Sequence, residues 1–198
     1  MKYVWLYVKR FKRSLRLYYK ERNNFKCNPR YFTYTLLRGD IYREIVDIGR
    51  GRGDFGNVGA QIFEKFKQAI FSVGKGSTNR VTSHLLLAKR VMKFHRFTRD
   101  PKTLKIIDLW RKKRGVVIMY IKTDISHYEA ASLEYVIAHS LKFENLTNVN
   151  DCSRYGVMEN MNQNEIVNLG SILLCSTLVK GLMDVHSVLQ YEDIVIKE

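Results

Sequence analysis

The residues of this 198-residue chain whose types and spacing suit chemistry cluster in residues 69–84, AIFSVGKGSTNRVTSH. Four apolar side chains, Ala69, Ile70, Phe71 and Val73, run into Gly74-Lys75-Gly76, a polar stretch follows, and a helical pattern starts near Asn79. This predicts strand, tight turn, helix. Such a turn offers a phosphate close approach to backbone N–H groups at the glycines, a point charge at Lys75 and the planar fork of Arg80. His84 lies beside the apolar stripe of the helix that follows and is free to face the turn. Taken alone, the turn is also what any strand-to-helix connection needs.

Composition sets the class of partner. The chain is long enough for one domain, and 45% hydrophobic residues supply a core. A formal charge of +15 and a pI of about 9.8 point to a polyanion, nucleic acid first and an anionic membrane surface second. Residues 1–26 set a dense run of lysine and arginine against Glu21 alone, whereas acids outnumber bases from Phe143 onward. Cys27, Cys152 and Cys175 form neither a disulfide framework nor a zinc knuckle, which suits a reducing, intracellular setting. No segment reads as long enough to span a membrane, and VWLYV is cut short by Lys9 and Arg10, against a secretory signal.

The elements that must position the turn follow from periodicity. Residues 2–22 carry Val4, Val8, Phe11, Leu15 and Tyr18 in steps of four and three, an amphipathic helix with a basic outer face. That face suits a phosphate backbone, a solvated docking helix or, less well, a transit peptide. Residues 30–37 read as a strand containing Tyr34. Residues 38–59, rich in glycine and charge, read as a flexible basic loop before a helix over 60–68. Within it, Gly51, Gly53 and Gly56 have dinucleotide-binding spacing, but no buried strand precedes them and no acid follows at the ribose distance. The Walker-A pattern also fails, because Ala69 stands where its first glycine belongs.

Further on, residues 79–97 read as a helix with Val81, Leu85, Ala88 and Met92 on one face. A short apolar helix spans 104–110, and the basic turn Arg111-Lys112-Lys113-Arg114 leads to a third strand over 115–121. Ser126 and Glu129 predict a capping box for a helix burying Ala130, Leu133, Ile137 and Leu141. Glu134 flanks that buried face. Such an acid is solvated, salt-bridged or, at the edge of a basic sheet, a metal ligand. A polar loop over 151–164, a last helix over 165–185 and a strand-like 193–196 complete the chain. His95, His127, His139 and His186 lack ligand spacing, so no zinc is assigned.

Phe32-x-Tyr34, Ala69-Ile-Phe-x-Val-Gly-Lys-Gly76, Ile107-Asp-Leu-Trp110 with Gly115-Val-Val117, Glu134, and Leu146-Thr-Asn148 before Tyr155-Gly156 together resemble the GIY-YIG endonucleases. More narrowly, they resemble the nuclease domain of the ankyrin-repeat and LEM-domain proteins. The resemblance covers about residues 30–196 and rests on the order and spacing of several motifs. It implies an α+β fold, a small central antiparallel three-stranded sheet flanked by helices. The basic helix and connector (1–29) would precede a nuclease domain (30–198), with a C-terminal helix. Ankyrin repeats and a LEM domain are absent from these residues, so a fragment or a stand-alone relative is expected.

The implied activity is metal-dependent hydrolysis of DNA phosphodiesters without a small-molecule cofactor, and the narrower resemblance implies selectivity for branched or junction DNA. By the resemblance, Glu134 holds one divalent ion, Mg²⁺ or Mn²⁺, and Tyr34 orients or deprotonates the attacking water. Lys75, Arg80 and His84 surround the phosphate, and Asn148 positions the neighbourhood of Glu134. Lys75, Arg80 and the Arg111, Lys112, Lys113, Arg114 tract would contact DNA. The setting would be nuclear and cytoplasmic. One departure stands out: the second motif's tyrosine is replaced by Ser72, whose hydroxyl is shorter and far less acidic. Two other functions therefore stay open, a nucleic-acid-binding module with impaired chemistry, and a membrane-surface protein anchored by residues 2–22.

Overall fold

The structure is a computed structural model that describes residues 31–51, 55–149, 153–184 and 186–196. The basic helix expected over 2–22 lies outside those residues. Three strands, β1 (Tyr31–Arg38), β2 (Ile70–Ser77) and β3 (Val116–Ile125), form one antiparallel sheet in the order β2-β1-β3. Helices α1 (Gly39–Gly51) and α2 (Phe55–Ala69) join β1 to β2, and α3 (Arg80–Lys93) and α4 (Pro101–Arg111) join β2 to β3. After β3 come α5 (His127–Ser140), two 3₁₀ turns (Phe143–Asn145 and Gly156–Asn160) and α6 (Gln163–Met183). This is the expected α+β architecture with a small antiparallel sheet.

Helices cover both faces of the sheet, so the central strand β1 reads as a buried run rather than an alternation, with residues 33–37 all buried. On one face Tyr34, Leu36, Phe71 and Val116 pack with Val81 and Leu85 of α3 and Ile106, Leu109 and Trp110 of α4. On the other, Leu37, Val73, Val117 and Met119 pack with Tyr42 and Ile45 of α1, Phe66 of α2, Ile137 of α5 and Leu174 of α6. The hydroxyls of Thr33 and Thr35 are buried on β1 and donate to the carbonyls of Ala130 and Met119, which removes the penalty of burying them. Beyond α6, Leu189 exchanges both backbone hydrogen bonds with Val116 at the edge of β3.

Several expectations need correction. The loop expected over 38–59 is largely helical. Ile41, Ile45 and Ile48 recur in steps of four and three and face the core, a period masked in the sequence by the surrounding glycines and charges. The Tyr42 hydroxyl seals the contact, donating to the Gly181 carbonyl of α6 at 2.9 Å. Gly74-Lys75-Gly76 is not a turn but the end of β2, paired with Tyr34, Thr33 and Phe32. The turn itself comes later, through Thr78 at φ +49°.

α3 ends at Lys93, before a positive φ at His95, so the exposed Phe97 is not helical. Ser126 does cap α5, accepting the Glu129 N–H, whereas the Glu129 carboxylate accepts from Lys122. A complete capping box occurs instead at Asn162 and Glu165 of α6. Residues 193–196 form no strand; among the described residues beyond α6, Leu189 is the one that bridges to the sheet. Contrary to the expectation that no segment reaches membrane-spanning length, α6 is long and apolar enough to cross one by length and composition. Its Ile166, Leu169, Leu174 and Leu178 nevertheless pack into the protein core.

The reassigned helix is open to a direct test. Ile45→Ala is expected to lower unfolding stability in urea by about 2–5 kcal/mol, the cost of a core cavity; a solvated loop at this position would show almost no change.

Candidate active site

β1 and β2 meet at a pair that sets the site. Tyr34 stands in register with Gly74, and a Cβ at position 74 would lie 2.6 Å from both the Tyr34 Oη and its Cζ. The phenol therefore lies across the glycine, and only a residue without a side chain leaves it room. Tyr34 is 1% exposed. Burial raises its hydroxyl above the ordinary pKa of 10, with Glu134 and Tyr120 pushing the same way and Arg80 opposing. The phenol thus stays neutral at pH 7 and lies within the field of Arg80 and Glu134.

β2 is an edge strand, and its outward backbone groups have to find partners. Leu146, Thr147 and Asn148 lie along it. Both the Thr147 N–H and hydroxyl donate to the Phe71 carbonyl, at 2.8 and 3.0 Å. The Asn148 amide works as a peptide would: Oδ1 accepts the Val73 N–H at 3.1 Å and Nδ2 donates to the Val73 carbonyl at 2.9 Å. The next outward N–H, that of Lys75, donates to the carboxylate of Glu134. Three outward-facing residues of one edge are satisfied by Thr147, Asn148 and Glu134 in turn.

Glu134 reaches this edge from α5, beside the buried stripe of Leu133 and Ile137. Burial lifts its carboxyl above the ordinary range, while Lys75, Lys102 and Arg80 draw it back down. Arg80 opens α3 directly against β2, since a Cβ on Gly76 would lie 2.4 Å from the Arg80 Cβ. One turn further along α3, His84 is driven down to about 4, first by burial and then by Lys102 and Arg80. Its imidazole is neutral at pH 7, with a lone pair available.

The structure brings Tyr34, Lys75, Arg80, His84 and Glu134 into one electrostatic neighbourhood. Asn148 and Ser72 belong to its frame. Ser72 is 0% exposed, and its hydroxyl donates to Asn148 Oδ1 at 3.4 Å. Arg111, Lys112, Lys113 and Arg114 lie elsewhere, at the C-terminal end of α4 and just beyond it, where the sheet pairs Arg38 with Val116. That is four residues along β1 from Tyr34, roughly 14 Å at strand rise. There Lys112 pairs with Asp108 at 2.7 Å and Arg114 with Asp40 at 3.4 Å.

One contributor escaped the sequence reading. Lys102, in the first turn of α4, acts on both Glu134 and His84. Asp100 caps that helix and Pro101 opens it, a start signal that places Lys102 in the first turn. Its orientation toward α3 and α5 comes only from the packing of α4 on the sheet.

A family model for the LEM-3-like GIY-YIG domain matches residues 31–195. Two curated relatives carry the name ankyrin repeat and LEM domain-containing protein 1. The Mus musculus protein is 30% identical over 135 residues, covering 68% of this chain and 25% of the relative. The Homo sapiens protein is 31% identical over 169 residues, covering 82% of this chain and 26% of the relative. The chain thus spans about a quarter of the length of these relatives. No solved structure matches it. The match spans the whole sheet and the helices around it, and the chain belongs to the LEM-3-like GIY-YIG domain family, a family of nucleases.

Proposed function

We propose that the protein is a metal-dependent DNA endonuclease that hydrolyses phosphodiester bonds at the β2 edge, with a preference for branched or junction DNA. The observation that carries this reading is the gathering of a neutral phenol, a neutral imidazole, a half-buried carboxylate and three cations at one strand edge. The net charge of +15 supports a polyanionic substrate. The relatives' name, with its ankyrin repeats and LEM domain, agrees with the narrower resemblance read from the sequence.

Glu134 fits a hard divalent ion. Its oxygen donors are held where burial disfavours the ionised form, and a cation beside them restores it. Among the described residues no group of three or more His, Cys, Asp or Glu converges on one point. Glu134 would therefore hold Mg²⁺ or Mn²⁺ with water and phosphate oxygens completing the shell, as Mg²⁺ prefers. Such an ion, when bound, polarises the scissile phosphate and stabilises the departing oxygen.

The chain's own groups supply the rest. Tyr34, as a neutral phenol, orients the attacking water, and the lone pair of His84 takes its proton. Lys75 and Arg80 hold the phosphate and offset the charge that builds on its oxygens, while Lys102 reinforces their field. Ser72 favours a second reading. Fully buried and turned to Asn148, its hydroxyl is poorly placed to activate water, which puts that step on Tyr34. A DNA-binding module with impaired chemistry is the outcome if Tyr34 does not suffice.

Nicking of supercoiled plasmid and cutting of a labelled four-way junction, with Mg²⁺ or EDTA, test both readings. The wild type is expected to cut only with metal, and Glu134→Gln to lose at least about a hundredfold in rate while still binding. Binding without cutting by the wild type, restored by Ser72→Tyr, marks the binding module. A protein that neither binds nor cuts overturns the proposal.

Two pH experiments follow from the shifted groups. With Tyr34 as a neutral orienting phenol, the single-turnover rate is expected to stay flat from pH 7 to pH 10; a tenfold rise per pH unit would instead identify a phenolate base. Glu134, raised by burial, binds its proton more readily in the folded than in the unfolded chain, so the penalty for its ionisation grows above its ordinary 4.5. Glu134→Gln is accordingly expected to raise the Tm at pH 7 and to leave it unchanged at pH 4, as measured by calorimetry.

A further inference from the structure

Beside the candidate active site lies a groove of about 480 Å³, within the roughly 300–1,000 Å³ range of small-ligand sites. Lys75 and Arg80 line it and are shared with the active site, while Tyr31 at the start of β1 and His127 at the start of α5 supply its aromatic wall. The Tyr31 and His127 rings meet edge to face with centroids 5.1 Å apart. The series continues to Tyr128 at 5.6 Å and from Tyr128 to Tyr155 at 5.1 Å. Four rings drawn from β1, α5 and the segment before the second 3₁₀ turn thus form one connected rim. Tyr128 is 43% exposed and His127 is also exposed, so the rim faces solvent.

Cations and aromatic rings lining one groove match the two halves of a nucleotide. Lysine and arginine take the phosphate, and bases of any sequence stack on aromatic side chains. His127 is held below its ordinary range by burial and then by Lys75, so its ring is neutral at pH 7 and stacks without bringing a further charge. Within a duplex both faces of a base are covered by its neighbours. Only a nucleotide outside the stack can present a face to these rings.

We infer that this groove is a base-stacking subsite: it seats one unpaired nucleotide of a DNA strand, base against Tyr31 and His127 and phosphate on Lys75 and Arg80. The inference rests on the nuclease reading above and deepens it, because selection of branched DNA then comes from a flanking nucleotide held outside the helix. Fully paired DNA meets only the cations. DNA with an unpaired nucleotide meets the cations and the rings.

The test uses the full chain in EDTA, so that nothing is cut, and DNA with 2-aminopurine as a single unpaired nucleotide beside a duplex. Stacking lowers the emission of that base, and an end label read by anisotropy reports binding separately. Wild type is expected to bind this DNA about tenfold more tightly than fully paired DNA and to quench the probe. His127→Ala and Tyr31→Leu are expected to lose the quenching and the tenfold advantage while binding paired DNA within about twofold of wild type. Leucine keeps the apolar packing of Tyr31 against the core cluster that includes Ile125 and Leu133, and an unchanged Tm confirms the fold.

Wild type that binds both DNAs equally without quenching overturns the subsite and leaves the nuclease reading intact, as does quenching that survives both substitutions. Wild type that binds neither DNA overturns the nuclease reading and the subsite together.

Discussion

The outer edge of β2 is the constraint on which the rest of the site depends. An exposed strand edge presents unpaired amides and carbonyls that either recruit another chain or must be satisfied at home. Here Thr147 serves Phe71, Asn148 serves Val73 and Glu134 serves Lys75. Two of these side chains hold the strand in place. The third carries a carboxylate to the point where Lys75 and Arg80 converge. Satisfying a backbone donor and positioning an acid are therefore a single interaction, and α5 must pack where it does for either to occur.

Burial then tunes each group without a dedicated partner for every charge. Tyr34 and Glu134 are pushed toward their neutral forms, and His84 is held neutral by the same loss of water and by neighbouring cations. The cost for Glu134 is desolvation of its ionised form, which the nearby cations Lys75, Lys102 and Arg80 offset in part. In the proposed reaction, a substrate phosphate with its cation would relieve the remainder, and binding energy would become positioning. The supporting sheet is buried on both faces, so the groups attached to it do not relax independently.

Much of this was legible in the chain. β1, β2, β3 and α3 to α6 followed from hydrophobic period and capping signals, and the ordered spacing of Tyr34, Gly74-Lys75-Gly76, Glu134 and Leu146-Thr147-Asn148 pointed to the family. α1 was misread because Gly39, Gly49 and Gly51 suggest a loop, while Ile41, Ile45 and Ile48 declare themselves only against a core that packs on them. The glycines of β2 were misread for the opposite reason. They suggest a turn, yet Gly74 is small because the Tyr34 ring lies on it and Gly76 because Arg80 does.

The sequence by itself determined the strongly basic charge that suits a polyanionic partner, and the identity of the groups able to handle a phosphate, because residue types and their order are local facts. Only the tertiary structure decided which of them share a site. It set Arg111, Lys112, Lys113 and Arg114 at the far end of the sheet, brought Lys102 in from α4, turned Ser72 inward to Asn148 and joined Tyr31 to His127. The physical reason is that these meetings depend on how helices far apart in the chain pack across one small sheet. Side-chain period fixes the face that each element buries, but not the neighbour against which it is buried.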